Sequence, residues 1–155
     1  MKTISNAGLR AAVESLTNRQ CFNCCSNWGS LLSIDCGEKR ECVASFSTGT
    51  EKQRARFEGD IVFWITSATW RIFHGNNVFL DSDSTNMQET RRIEGESLIS
   101  IEFDSDDGGM AIHLTNEYSL HLYVWPGEEN FGIKVFGTWY SPLKLGELFV
   151  LAESP

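Results

Sequence analysis

Between residues 98 and 124 the chain alternates apolar and polar side chains in three successive runs, and a period of two commits such runs to strands. In "SLISIEFD" the apolar set is Ile99, Ile101 and Phe103; in "GMAIHLT" it is Met110, Ile112 and Leu114; in "SLHLYVW" it is Leu120, Leu122 and Val124. All three sets must share one face, because a one-residue slip turns a whole set into water. That condition predicts an antiparallel meander opposing Leu114 to Leu120 and Ile112 to Leu122 across "NEY", with His113 directly across from His121 on the reverse. The reverse face then reads Glu102, Asp104, His113, His121, Tyr123 and Trp125, joined by Lys134 and Phe136 if "FGIKVFG" extends the meander. Rings among charges are what interface centres carry, and a covering N-terminal helix is the alternative reading.

A second feature is an echo: "FWITSATW" at 63–70 returns as "FGIKVFGTW" at 131–139. Ile93-Glu94-Gly95 stands where Leu16-Thr17-Asn18 stands in the first half, each ending in a residue that accepts positive φ. "SLISIEF" matches the strand after the first helix, and "GMAIHLTN" matches "SLLSIDCG". The expectation is one domain over 1–155 containing two units, about 16–72 and 93–140. Leu9, Ala12, Val13 and Leu16 predict an amphipathic helix over 6–17, with Ser5 or Asn6 as N-cap and Asn18 at the left-handed C′ position. Strands are expected around Asn-Trp-Gly at 27–29 and near 42–46, the latter followed by a loop, and a helical turn at 86–92. The fold class is therefore α+β, one N-terminal helix packed on an antiparallel, internally duplicated β-meander sheet of about eight to ten strands.

Composition narrows the function classes. The 155 residues are 41% apolar and 22% charged, enough to build one core. No apolar run reaches the length of a signal-peptide core or a membrane span, so the cytoplasm is the expected compartment. Cys21, Cys24, Cys25, Cys36 and Cys42 are an odd number in such a chain, and reduced thiols are expected over a disulfide framework. The formal charge of -8 repels phosphate backbones and anionic membranes, arguing against nucleic acid and for a basic partner.

The candidate chemical sites each have a plainer reading. Cys21-x-x-Cys24-Cys25 resembles a zinc knuckle, but Cys36 and Cys42 do not supply a second close pair, and buried structural thiols are favoured. His113 and His121 could share a metal ion, with Glu102 as a third ligand in an enzyme; two imidazoles alone make a weak site. His74 before Gly75 reads as turn punctuation. "DSDDGG" at 104–109 begins like a calcium loop, yet Thr115 stands where its bidentate glutamate belongs, so a hairpin connection is expected. No Gly-x-Ser-x-Gly elbow and no glycine-rich phosphate loop is present. Neither catalysis nor a cofactor or metal is expected.

The helix ending at Leu16, "SLLSIDCG", "FWITSATWRI" and "RRIEGESLISIEF…LTNEYSLHLYVW" resemble a group of small bacterial proteins, some of which act as immunity proteins of polymorphic or contact-dependent toxin systems. The resemblance covers most of the chain and implies stoichiometric neutralisation of a cognate toxin domain. Physical reading suits that role: an acidic protein speeds encounter with a basic one, and apolar anchors slow release. The expected partner-binding residues are Asp81, Asp83, Glu102, Asp104, Asp106 and Asp107 for charge, with Tyr123, Trp125 and Phe136 as anchors. The rival reading is a small-ligand module whose apolar pocket is lined by Trp64, Trp70 and Trp139.

Overall fold

The computed structural model describes residues 3–26, 31–43, 55–66, 68–83, 87–103, 109–123, 131–144 and 147–151. Among them the first half forms strands β1 (Thr3–Ser5), β2 (Cys21–Ser26), β3 (Leu32–Cys36), β4 (Arg40–Val43), β5 (Ala55–Glu58), β6 (Ile61–Ile65), β7 (Thr69–His74) and β8 (Asn77–Asp81). The second adds β9 (Leu98–Phe103), β10 (Met110–Leu114), β11 (Tyr118–Tyr123), β12 (Phe131–Val135), β13 (Thr138–Lys144) and β14 (Glu147–Leu151). Helix α1 (Asn6–Glu14) leads into β2, and a 3-10 helix (Met87–Ile93) leads into β9 at the place expected for a helical turn.

The structure is antiparallel β with one short α-helix, but the strands divide between two sheets where one was expected. The larger has the order β1-β14-β13-β12-β6-β3-β2 and the smaller β8-β7-β11-β10-β9, with β4-β5 as a separate ribbon. Both sheets turn an apolar face to the same core. Phe63, Ile65 and Ile133 come from one side and Trp70, Ile112 and Leu120 from the other, all buried. At about 1.5–3 kcal/mol for each large side chain removed from water, a shared core outweighs leaving either face wet. Leu9, Val13 and Leu16 of the helical segment close it beside β9.

In each sheet a run of three strands from one half is extended by a hairpin of the other, and in the larger sheet β14 and β1 follow beyond that hairpin. β2-β3-β6 is extended by β12-β13, and β9-β10-β11 by β7-β8. The main-chain bonds at the crossings come in matched pairs. Asn18 N–H donates to the Leu98 carbonyl (2.9 Å) as Gly95 N–H donates to Cys21 (2.8 Å); Leu98 N–H donates to Arg19 (2.9 Å) as Cys21 N–H donates to Glu96 (2.7 Å). Gly37 N–H on Gln20 answers Thr115 N–H on Ser97, and Phe136 N–H on Asp60 answers Gly75 N–H on Glu117. Asn18 and Gly95 occupy equivalent left-handed corners at φ 71° and 91°. The 3-10 helix packs on β2 just as α1 packs on β9.

Four expectations are corrected. The "FWITSATW" and "FGIKVFGTW" phrases are not equivalent: β6 and β12 lie side by side, Phe63 opposite Ile133, while β7 starts in the other sheet and β13 is the return arm of a hairpin. The matched bonds instead set Gly75 against Phe136, which aligns β7 with β12. Any two buried strands rich in aromatic and β-branched residues look alike, and that likeness produced the echo. The β10-β11 register differs by two residues, Ile112 facing Leu120 and His113 facing Ser119, because consecutive left-handed residues Asn116 (φ 54°) and Glu117 (φ 62°) turn the chain earlier. A shift of two keeps every side chain on its face. Ile99 is exposed, since a bulge near His113 pairs Leu98 with Leu114 and takes the inward place. Lastly, α1 has Ser5 as N-cap but ends at Glu14, where the Ser15 and Thr17 hydroxyls bond the Ala12 and Glu14 carbonyls, both at 2.6 Å.

Candidate functional site

The outer face of the five-stranded sheet carries one continuous row of side chains. Asp81, Arg71, His121, Ala111 and Glu102 are registered partners from β8 across to β9. Tyr123 stands beside the row with its ring 5.6 Å from the Arg71 guanidinium, a cation–π contact on an exposed surface. A neighbouring row adds Phe73, Ser119 and His113. The Phe73 ring meets His121 edge-on at 4.8 Å, and the two imidazoles lie diagonally with centroids 6.3 Å apart. His113 Nε2 bonds Glu102 Oε2 at 3.2 Å, and His121 Nε2 bonds Ser119 Oγ at 3.1 Å. The helix is not the cover of this face, because its apolar side chains enter the core on the sheet's other side.

Burial lowers the His121 pKa from its usual value, the neighbouring His113 adds to the effect, and Glu102 opposes it. The folded state therefore binds fewer protons than the unfolded chain below the ordinary value of 6.5. Stability is full above that value and is lost as the pH falls through it toward the folded pKa. Thermal unfolding at about pH 7.5 and about pH 5.5 should show a larger acid-side drop in Tm for the native chain than for His121→Gln. Equal drops would remove His121 from the pH response.

The Ser119–His121 contact has the members of a nucleophilic pair. It lies on β11, which is paired on both sides by β7 and β10, so the surrounding main-chain N–H groups are spent on the ladder and cannot stabilise an oxyanion. Among the described residues no three His, Cys, Asp or Glu side chains converge as a metal site. Cys21 and Cys24 are buried while Cys25 of the same strand is exposed, so the first three cysteines do not converge. Burial raises the Cys24 thiol pKa far above its usual value, away from thiolate chemistry.

Of the expected binding residues, Asp81, Glu102 and Tyr123 share this outer face. Asp83 follows β8 and is exposed, its N–H held by Asp81 Oδ1 at 3.0 Å. Phe136 is not on the face. It sits exposed on the β12-β13 turn of the other sheet, with the Arg40 guanidinium 5.7 Å from its ring. Lys134 likewise belongs to the larger sheet, where its ammonium bonds both Glu58 oxygens at 3.0 Å. Asp104, Asp106, Asp107 and Trp125 lie outside the described residues. The Trp-lined pocket is not assembled: Trp70 is in the core, whereas Trp64, between core residues Phe63 and Ile65, turns to the outer side of the larger sheet, and the Trp139 side chain lies outside the described set. Sequence reasoning missed Arg71 and Phe73, because nothing in β7 announces that it pairs with β11, and Ser119, because the expected register set His121 opposite His113 in its place.

No helix among the described residues is long and apolar enough to cross a membrane. Comparison with family models, curated proteins and solved structures gives no match.

Proposed function

We propose that the outer face of the five-stranded sheet docks a basic protein domain and that the chain acts by stoichiometric binding, in the manner of an immunity protein neutralising a toxin domain. We also infer that the chain is an internal duplication with exchanged hairpins. The reciprocal hydrogen bonds support that reading.

One comparison within the molecule carries the docking proposal. In the first half the connection between the matched positions Gly37 and Asp60 holds the β4-β5 ribbon; in the second the matched positions are Thr115 and Glu117, two residues apart. The ribbon lies against the outer side of the larger sheet. Glu58 reaches Lys134, the Phe57 carbonyl accepts from Asn23 Nδ2 at 3.0 Å, and the Gly59 N–H donates to Asp35 Oδ1 at 2.9 Å. Asp35 and Val62, which point outward from that sheet, are 0% and 2% exposed. Among the described residues the equivalent side of the smaller sheet has no such ribbon, and Tyr123 is 40% exposed. A partner supplies the missing cover. The net charge of -8 and the carboxylates of Asp81, Asp83 and Glu102 select a basic one.

Titration calorimetry against a basic toxin domain encoded in the adjacent reading frame tests this. One-to-one binding is expected, weakened at least about tenfold by Tyr123→Ala and slowed at low salt by Glu102→Lys, with Phe136→Ala unchanged. Absence of such a reading frame, or binding indifferent to both face substitutions, would sink the proposal.

A further inference from the structure

We propose that Cys21 and Cys36 are a disulfide-forming pair, a covalent modification site inside the β2-β3 hairpin that an oxidant of the glutathione disulfide class converts to a cystine. The two residues are direct cross-strand partners. Gly37 N–H bonds the Gln20 carbonyl at 3.0 Å, which makes Gln20 and Gly37 the hydrogen-bonded pair and leaves Cys21 and Cys36 as the adjacent pair without mutual main-chain bonds. Such pairs hold their Cα atoms about 4.5 Å apart. That lies inside the range of about 4.4–6.8 Å that a disulfide spans. The Sγ atoms are 2.6 Å apart. The cross-strand pairing and the sulfur separation together put the two thiols within bridging reach.

The other described thiols point elsewhere. Cys24 Sγ is directed at the Phe22 carbonyl at 3.8 Å, and the exposed Cys25 Sγ at the Ser26 carbonyl at 3.9 Å. Cys21 is also where β2 meets the second half, since its N–H and carbonyl are the ones engaged by Glu96 and Gly95. A bridge at this position fixes the hairpin at the joint between the halves.

The step balances through a mixed disulfide. One cysteine thiolate attacks glutathione disulfide and releases a glutathione thiolate; the second cysteine then displaces the other glutathione, forming the Cys21–Cys36 bond. Both protons end on the two released glutathiones, and two cysteines are oxidised as one glutathione disulfide is reduced. Both thiols are buried, and burial together with the Cys21 contact pushes the Cys36 pKa up. Attack therefore requires the hairpin to open, so exchange is slow on the folded chain and fast during refolding.

The test refolds the full chain from urea in buffer containing glutathione disulfide, alkylates the remaining thiols under denaturing conditions, and maps peptides by mass. The expected product is a peptide pair joined through Cys21 and Cys36, lighter by two hydrogens, from a chain with a higher Tm than its reduced form; the same treatment without unfolding reaches it far more slowly. Full alkylation of both residues, a bridge from either to Cys24, Cys25 or Cys42, a persistent glutathione adduct, or a lowered Tm in the bridged chain overturns the assignment. The mapping uses the native sequence, so no variant needs to fold.

Discussion

Trp70→Ala should lower the free energy of unfolding by about 3–5 kcal/mol, the usual cost of emptying a large aromatic site in a closed core. Trp70 is 2% exposed and pairs with Leu122 at the seam where β7, from the first half, enters the sheet of the second. The lost volume is bounded by strands that cannot collapse together without breaking the β7-β11 ladder, which places the cost toward the upper end. Trp70→Phe keeps most of the apolar volume and should cost clearly less. Urea denaturation followed by tyrosine or circular-dichroism signal, extrapolated to water, measures both. A loss below about 1 kcal/mol for the alanine variant would mean that the two sheets do not close on this ring.

Gly59→Ala should be nearly as damaging, at about 3 kcal/mol or more, through a clash instead of a void. A Cβ at Gly59 would lie only 2.8 Å from the Cys36 amide nitrogen and closer still to its carbonyl oxygen. Cys36 is in β3 with β2 on one side and β6 on the other, so the strand has nowhere to move. At about 2–4 °C per kcal/mol for a chain of this size, Tm should fall by roughly 10 °C. Gly75→Ala is the comparison: nothing lies within 4 Å of its Cβ position, and only the left-handed backbone at φ 61° opposes the change. That costs about 1–2 kcal/mol. A Gly59→Ala chain that melts with the native one would show that the β5-β6 corner is not pressed on β3.

The smaller sheet was the more legible part of the chain. Alternation in β10 and β11 fixed which side chains face inward, and Met110, Ile112, Leu114, Leu120 and Leu122 are all buried. The register was not legible, because Asn116 and Glu117 give no warning that both adopt positive φ, and alternation is blind to a slip of two. Sheet membership was hidden for a related reason. A strand's own residues say which side is apolar, but not which neighbour it will find, so Lys134 and Phe136 seemed to extend a meander that β12 leaves for the other sheet. The candidate face was legible at Glu102, His113, His121 and Tyr123, all within one meander. Arg71, Phe73 and the closeness of Cys21 to Cys36 depend on pairings between distant or bulged segments, and no local pattern encodes those.

The exchange of hairpins has a consequence for the chain's assembly. A fragment ending near residue 83 would own four strands of the larger sheet, β1, β2, β3 and β6, and two of the smaller, β7 and β8, with open edges on both and no way to satisfy either alone. On the duplication proposed above, two such fragments supply each other's missing strands in a symmetric dimer of half-length chains. Joining the halves in one polypeptide turns that association into an intramolecular event, independent of concentration.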